Sequence, residues 1–480
     1  MSPLFSGPGA RGYREVMARS GEILRRALGL DYSSFRRGRL AFDYEALMAS
    51  PGYGLERAAE IQAACHVGRT PLLELERMTQ LVRSYAPPGC GARIFLKDEA
   101  ANPSGSFKDR RAALSVHEAK ERGYAGVIAA TSGNYGAAVA SQAAMQGLKC
   151  IIVQEVYDSR GEGQPEIVEK GRRCEAFGAE VVQLTVGPEL FYVLLALLEE
   201  TGYFSASLYT PYAILGIETL GYEVGVEVRA RTGRDPDCVL VTHAGGGNVT
   251  GTARGLRRAG CRSTRVVGVS VDLSGLHMAS DADFNRKSFT TGHTGFGVPF
   301  ATWPDRSDVP INAARPLRYL DEYRVVTQGE VFYATEALAQ LEGLERGPAG
   351  NTSLAAALDV ARSLPRDAVV VVQETEYTGA GKHPYAQLTF ARENGVDVRR
   401  GDPEEQVPGR SIVIPWEPSQ IRARPLSLAR LRASYLRNAV QRYGLKGVSR
   451  EELEFLAEDC RADEGFVAET LKGMGVGVEG

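Results

Sequence analysis

Short apolar runs rich in β-branched residues alternate with longer stretches of helical periodicity through the middle of the chain. Cys150–Gln154, Glu180–Thr185, Cys238–Thr242, Val266–Val271 and Val369–Gln373 are runs of this kind. They read as buried strands, and the stretches between them as covering helices. The alternation predicts an α/β protein built on parallel sheets. Outside it, the spacing predicts a helix over Tyr13–Ala27 and a second near Tyr44–Ala49. Beyond a Pro-rich link at Pro415 and Pro418 it predicts an arginine-rich helix over Leu426–Tyr443 and an acidic one near Arg450–Cys460. The basic, amphipathic tail suits either an acidic or phosphate-bearing partner or packing on the domain with its arginines in water; the second is favoured. No internal repeat or low-complexity tract interrupts the pattern.

Four loops at strand ends carry candidate chemistry. The strand Ile94–Lys97 leads into Asn102-Pro103-Ser104-Gly105-Ser106-Phe107-Lys108-Asp109-Arg110, after which Ala112, Ala113, Val116 and Ala119 recur at helical spacing. Lys108 therefore sits at a helix start. The positive end of the helix dipole and partial burial both disfavour an ammonium there. The neutral amine that results is the form that attacks an aldehyde. Alone, such a lysine reads as an ordinary first-turn residue; the other loops change that reading. Thr131-Ser132-Gly133-Asn134-Tyr135-Gly136 joins the run Val127–Ile128 to a small-residue helix. Its hydroxyls and free N–H groups suit a carboxylate, although a plain cap by Ser132 or Asn134 fits as well. His243-Ala244-Gly245-Gly246-Gly247-Asn248-Val249 follows a strand and leads to a helix expected over Ala253–Ala259, stopped by Gly260. Consecutive glycines let the main chain approach a phosphate. No P-loop lysine follows, and the spacing fails the dinucleotide fingerprint. The fourth loop, Glu374-Thr375-Glu376-Tyr377-Thr378-Gly379-Ala380-Gly381-Lys382-His383, also fails as a P-loop: Glu376 replaces its first glycine and His383 its Ser or Thr. A threonine at that strand end suits a neutral hydrogen bond to a ring nitrogen.

These four loops, in this order, resemble those of the fold-type-II pyridoxal-phosphate enzymes, the group of threonine synthase, cysteine synthase and the tryptophan synthase β chain. The resemblance covers roughly Gly68 to Arg400. Gly68–Leu73 is similar to the family's opening strand, and Glu330–Gly343 with Gly350–Ala355 to its late helices. It implies two parallel-sheet, three-layer domains with pyridoxal 5′-phosphate between them. The small domain would span 109–211; the large one would combine 68–108 with 212–400; residues 1–67 and 401–480 would be helical extensions. It further implies that Lys108 holds the coenzyme covalently and that Asn134 meets its phenolic oxygen. The N–H groups of Gly245, Gly246, Gly247, Asn248 and Val249 would bind its phosphate. Thr378, or Thr375 if the strand end is offset, would face the ring nitrogen. Thr131, Ser132, Gly133 and Tyr135 would meet the substrate carboxylate.

A closer resemblance is to the β subunits of thiolases that act on 2-amino-4-oxopentanoate in bacterial ornithine catabolism. The segments that carry it are Ala41–Glu45, Pro87–Phe95, Met145–Glu155, Val186–Tyr192 and Gly202–Pro211. It implies cleavage of the keto amino acid with coenzyme A to acetyl-CoA and alanine, a small α subunit as partner, and self-association. Two other readings stay open: a β- or γ-replacement or elimination enzyme of the threonine synthase or cysteine synthase type, and a non-catalytic coenzyme-binding scaffold.

Composition narrows this little. The chain has 480 residues, 44% hydrophobic and 24% charged, with a net charge of −3. That suits a globular protein with more than one core and points to neither a nucleic-acid nor a membrane partner. The polar, Gly-rich N-terminus lacks a secretory pattern. Seven dispersed cysteines without a Cys-x-x-Cys pair suggest reduced thiols in cytoplasm and no structural zinc. His66, His117, His243, His277, His293 and His383 show no ligand spacing; His243 and His383 border the candidate site and are expected either there or in the surrounding structure.

Overall fold

The computed structural model describes residues 12–131, 133–187, 189–274, 283–290, 308–377 and 382–479. Among them, seven strands form one sheet in the order Leu72–Glu74, Arg93–Asp98, Val369–Glu374, Cys238–Thr242, Arg265–Val271, Glu322–Val326 and Arg424–Pro425. The five inner strands run parallel. Val369 to Val372 and Val239 to Val241 are fully buried, as a strand covered on both faces requires. Both edge strands run antiparallel to their neighbours, so the sheet is not wholly parallel as the alternation suggested. Short edges of this kind need no crossover helix. A second sheet, parallel throughout, has the order Glu180–Thr185, Lys149–Tyr157, Gly126–Thr131 and Phe204–Ser205.

Helix Pro211–Thr232 packs against both Lys108–Glu121 and Gly247–Arg258 beside the sheets. Their contact is backbone on backbone. A Cβ on Gly216 would lie 2.1 Å from the Arg110 carbonyl oxygen, one on Gly221 2.1 Å from that of Thr252, and one on Gly255 2.1 Å from that of Glu218. This corrects the expected start of the third helix. It begins at Gly247 and runs through Gly251 and Gly255. Glycine inside a helix costs about 1 kcal/mol relative to alanine, which is why the sequence reads as loop. Here close helix packing offsets that cost and fixes the glycine loop relative to Lys108.

The extensions are woven into the same structure. The expected helix Tyr13–Ala27 is two, Tyr13–Ala18 and Ser20–Leu28, broken at Arg19, whose guanidinium bonds Glu199 at 2.5 Å. The expected boundary near Arg400 crosses a strand pair, since Asp397–Arg400 pairs with Ser411–Ile414. Helix Leu428–Tyr443 buries Leu431, Tyr435, Leu436 and Ala439. Helix Arg450–Cys460 carries Asp459, buried among Arg315, Arg318 and the Tyr435 hydroxyl. Arg315 Nε donates to Asp459 Oδ1 at 2.9 Å and Arg318 Nε donates to the same oxygen at 2.7 Å. The next residue after Arg315 is Pro316, whose ring lies against Gly246, so the tail braces the glycine loop from behind.

Burial alone would raise the Asp459 carboxyl, but Arg315 and Arg318 outweigh it and hold it at about 2. A carboxyl with a depressed folded-state value stabilises the fold above its unfolded value, about 3.9, and loses that contribution as pH falls through the folded one. Asp459→Asn removes the buried carboxylate that pairs with Arg315 and Arg318 and should cost about 3 kcal/mol or more of stability at neutral pH. Thermal unfolding from pH 7 down to pH 2 checks this: the gap between wild type and variant should narrow only below about pH 4.

Candidate active site

The lysine turn is closed by its own side chains. The Asp109 carboxylate accepts from the Ser104 N–H and the Ser104 hydroxyl, each at 2.7 Å, and Gly105 N–H bonds the Asn102 carbonyl at 2.8 Å. Gly105 has φ +77° and lies against the Tyr377 carbonyl, a position that favours glycine twice over. The turn is then stitched to the end of the central strand. Phe107 N–H donates to the Thr375 carbonyl at 3.1 Å, and Tyr377 N–H donates to the Gly105 carbonyl at 2.8 Å. Behind it, fully buried Arg110 is neutralised by Glu99 and Glu223, at 2.6 and 2.8 Å.

Lys108 is the first residue of its helix and faces a cleft of about 390 Å³ between the two sheets. Its ammonium is pushed well below the ordinary lysine value, first by desolvation and then by the nearby Arg111 charge. Lys170 acts in the same direction and Glu376 opposes. Among the described residues no carboxylate forms a direct ion pair with it.

On one wall lies the glycine loop. Helix Gly247–Arg258 has Gly246 as its N-cap, at φ +84°, and Thr250 N–H makes the first bond back to Gly246, so the N–H groups of Gly247, Asn248 and Val249 have no partner within the helix. Each glycine is required by a neighbour. A Cβ on Gly245 would lie 1.9 Å from the Tyr209 hydroxyl, on Gly246 2.6 Å from the Pro316 ring, and on Gly247 2.8 Å from the Arg111 guanidinium. The Asn248 amide nitrogen is buried without a partner.

The facing wall is polar. Asn134, first in its helix, donates its amide to the Glu376 carboxylate, which also lies 3.4 Å from Lys170 Nζ. Lys170 pairs in turn with Glu166. Burial favours a neutral Lys170, but Glu166 and Glu376 outweigh it and hold the ammonium. Thr131, Gly133 and Tyr135 line the same side; Thr131 Oγ1 accepts from the Gly133 N–H at 3.1 Å, and Tyr135 is buried. Tyr13, Met17, Leu190 and Phe191 form the rim. Both the N-terminal extension and the segment Val186–Tyr192 thus reach the cleft.

A family model described as pyridoxal-phosphate dependent enzyme matches residues 64–376. The chain is 66% identical over 464 residues to a 2-amino-4-ketopentanoate thiolase β subunit from an unknown prokaryotic organism, covering 97% of this chain and 98% of that one. To the protein of the same name from Acetoanaerobium sticklandii it is 62% identical over 460 residues, 96% of this chain and 98% of the other. The chain belongs to the pyridoxal-phosphate-dependent enzymes, in the family of 2-amino-4-ketopentanoate thiolase β subunits. A crystal structure of threonine deaminase from T.th. superposes with a TM-score of 0.52 at 26% identity, over 68% of this chain and 99% of that one.

For a pyridoxal-phosphate-dependent enzyme the cleft has the groups its coenzyme needs: a lysine shifted toward the amine, a glycine-lined helix start, and bare donors on Asn248 and Arg111. The cleft brings together Lys108, Thr131, Gly133, Asn134, Tyr135, Gly245, Gly246, Gly247, Asn248 and Thr375. Val249 is buried behind the loop and can offer its backbone N–H alone. Ser132 and Thr378 lie outside the described residues, as do His277, His293 and the His383 side chain. His243 does not line the cleft: it is buried, with Nδ1 2.7 Å from the Tyr323 hydroxyl, and burial lowers it to about 3. Sequence reasoning missed Arg111, Glu166, Lys170, Tyr209 and Glu376. The pair Arg110-Arg111 in an otherwise small-residue helix was the available signal for the first, and acids at the end of a buried strand for Glu376.

Gly245→Ala forces the Tyr209 hydroxyl away from the loop. The variant should fold, with a melting point within a few degrees of wild type, yet bind pyridoxal phosphate at least about 10-fold more weakly. Coenzyme titration followed by absorbance checks this.

Proposed function

We propose that this chain is the coenzyme-carrying subunit of a thiolase that cleaves 2-amino-4-oxopentanoate with coenzyme A to acetyl-CoA and alanine. The observation that carries the reading is near-full-length identity of 66% and 62% to two proteins named as β subunits of that thiolase. The place of the reaction in ornithine degradation, a cytoplasmic location and a hetero-oligomer with a small α subunit belong to the same proposal. Seven free cysteines suit a reducing compartment, and among the described residues no helix is long and apolar enough to cross a membrane.

In this reading Lys108 holds the coenzyme's aldehyde carbon. Asn134, its amide fixed by Glu376, meets the phenolic oxygen, and the N–H groups of Gly245 to Val249 hold the phosphate. Thr378 faces the ring nitrogen, with Thr375 as the alternative within the described cleft. Thr131, Ser132, Gly133 and Tyr135 take the substrate carboxylate. The bound coenzyme supplies an electron sink for negative charge near the amino acid's Cα. Lys108 Nζ would take the α-proton, since burial and the Arg111 charge shift it toward the amine. The thiolate of coenzyme A would add to C4 and the C3–C4 bond break to release acetyl-CoA; a proton delivered to C3 and the proton returned by Lys108 to Cα would complete alanine.

Borohydride reduction of the yellow protein should fix the coenzyme on Lys108; a mapped adduct on another lysine contradicts the assignment. Lys108→Ala should abolish turnover while noncovalent coenzyme binding persists. Thr378→Asp should change the coenzyme spectrum and lower activity; an unchanged spectrum and rate move the ring-nitrogen role to Thr375.

The chain alone should thiolyse 2-amino-4-oxopentanoate slowly, and a small companion subunit should restore the rate. Efficient replacement chemistry on O-acetylserine or O-phosphohomoserine, with no coenzyme A-dependent cleavage beside the companion, would refute the thiolase. Truncation after Gly401 is unsuited to test the subunit contact, because it removes a strand of the large sheet and Asp459.

A further inference from the structure

Arg111 stands on the helix that starts at Lys108, within its first turn, and is 3% exposed. Its guanidinium packs 5.3 Å from the Phe107 ring centroid and lies over Gly247, where a Cβ would come within 2.8 Å of it. The fixed bond it makes is to the Leu208 carbonyl, at 3.3 Å. Its Nε is buried with no partner. Other buried arginines nearby are neutralised: Arg110 by Glu99 and Glu223, Arg315 by Asp459. Arg111 has no carboxylate among the described residues. Burial lowers it to about 10, so it still carries its charge at neutral pH. A buried, unneutralised cation that lines a cleft calls for an anion from outside the chain.

We infer that Arg111 is the charged ligand of the anion seated on the glycine loop, and that this anion is the phosphate monoester of the coenzyme. The inference rests on the coenzyme site proposed above. Two things favour phosphate over the substrate's carboxylate. The guanidinium lies at Gly247, where the helix N-terminus presents free N–H groups. The second bare buried donor on that wall, Asn248 Nδ2, belongs to the same loop. A dianion takes up a planar donor fork better than any neutral ligand.

The test compares two probes on the coenzyme-free full chain. Arg111→Gln should weaken pyridoxal phosphate about 10- to 100-fold more than it weakens pyridoxal, which lacks the phosphate. The coenzyme-free variant should melt at or above the wild-type temperature, because a buried lone charge is gone, and the rise in melting temperature on adding coenzyme should shrink. Arg111→Lys should recover part of the affinity. Equal weakening of both probes, no weakening of either, or a rise confined to the KM of the amino-acid substrate each overturns the inference. If Arg111→Gln does not fold, a structure of the wild-type holoenzyme decides: a guanidinium nitrogen within about 3.2 Å of a phosphate oxygen is expected, and its absence is a refutation. Wild-type protein that takes up no coenzyme overturns the site itself; normal uptake unchanged by Arg111→Gln overturns this inference alone.

Discussion

A lysine at the first position of a helix, between two sheets, has little that welcomes a positive charge. The helix N-terminus opposes it, desolvation opposes it, and Arg111 and Lys170 add their charges nearby. Glu376 is the acid that opposes them, and one of its carboxylate oxygens is engaged by Asn134 and Lys170. These influences shift Lys108 toward the amine, on a side chain that lines the cleft. Much of the surrounding structure serves to hold that arrangement still. Asp109 and Ser104 close the turn, the Thr375 and Gly105 carbonyls tie it to the central strand, and buried Arg110 anchors the helix against Glu99 and Glu223.

The distance from Lys108 to the glycine loop is set by backbone contact. Helix Pro211–Thr232 touches the lysine helix at Gly216 and the glycine-loop helix at Gly221, with Gly251 and Gly255 on the facing surface. Side chains at these positions would push the loop outward and open the cleft. The tail adds a brace from behind, because Asp459 fixes Arg315 and the neighbouring Pro316 ring seats Gly246. An element that looks like an appendage in sequence therefore bears on the geometry of the cleft.

The strands, the lysine turn and the order of the loops were legible because each depends on local signals: β-branched runs, glycine and proline punctuation, a lysine beside small residues. Three things were hidden. The helix start at Gly247 was masked by glycines whose use is tertiary contact. The tail's place was masked because its strand has two residues, Arg424–Pro425, too few to leave a pattern. Glu376 comes from a part of the chain far from Lys170 and Glu166, and no spacing rule joins residues about two hundred positions apart. His243 borders the glycine loop in sequence, yet its ring packs on Tyr323 as a core residue, the place its lack of ligand spacing favoured.

The most direct measurement is the ionisation of Lys108 itself in the coenzyme-free protein. Competitive labelling with an acylating reagent across pH, read peptide by peptide, gives the midpoint for each lysine. An uncharged Lys108 requires a midpoint well below that of the exposed lysines on the same chain. A midpoint near the ordinary lysine value of about 10.4 would contradict it, and with it the physical basis of the site.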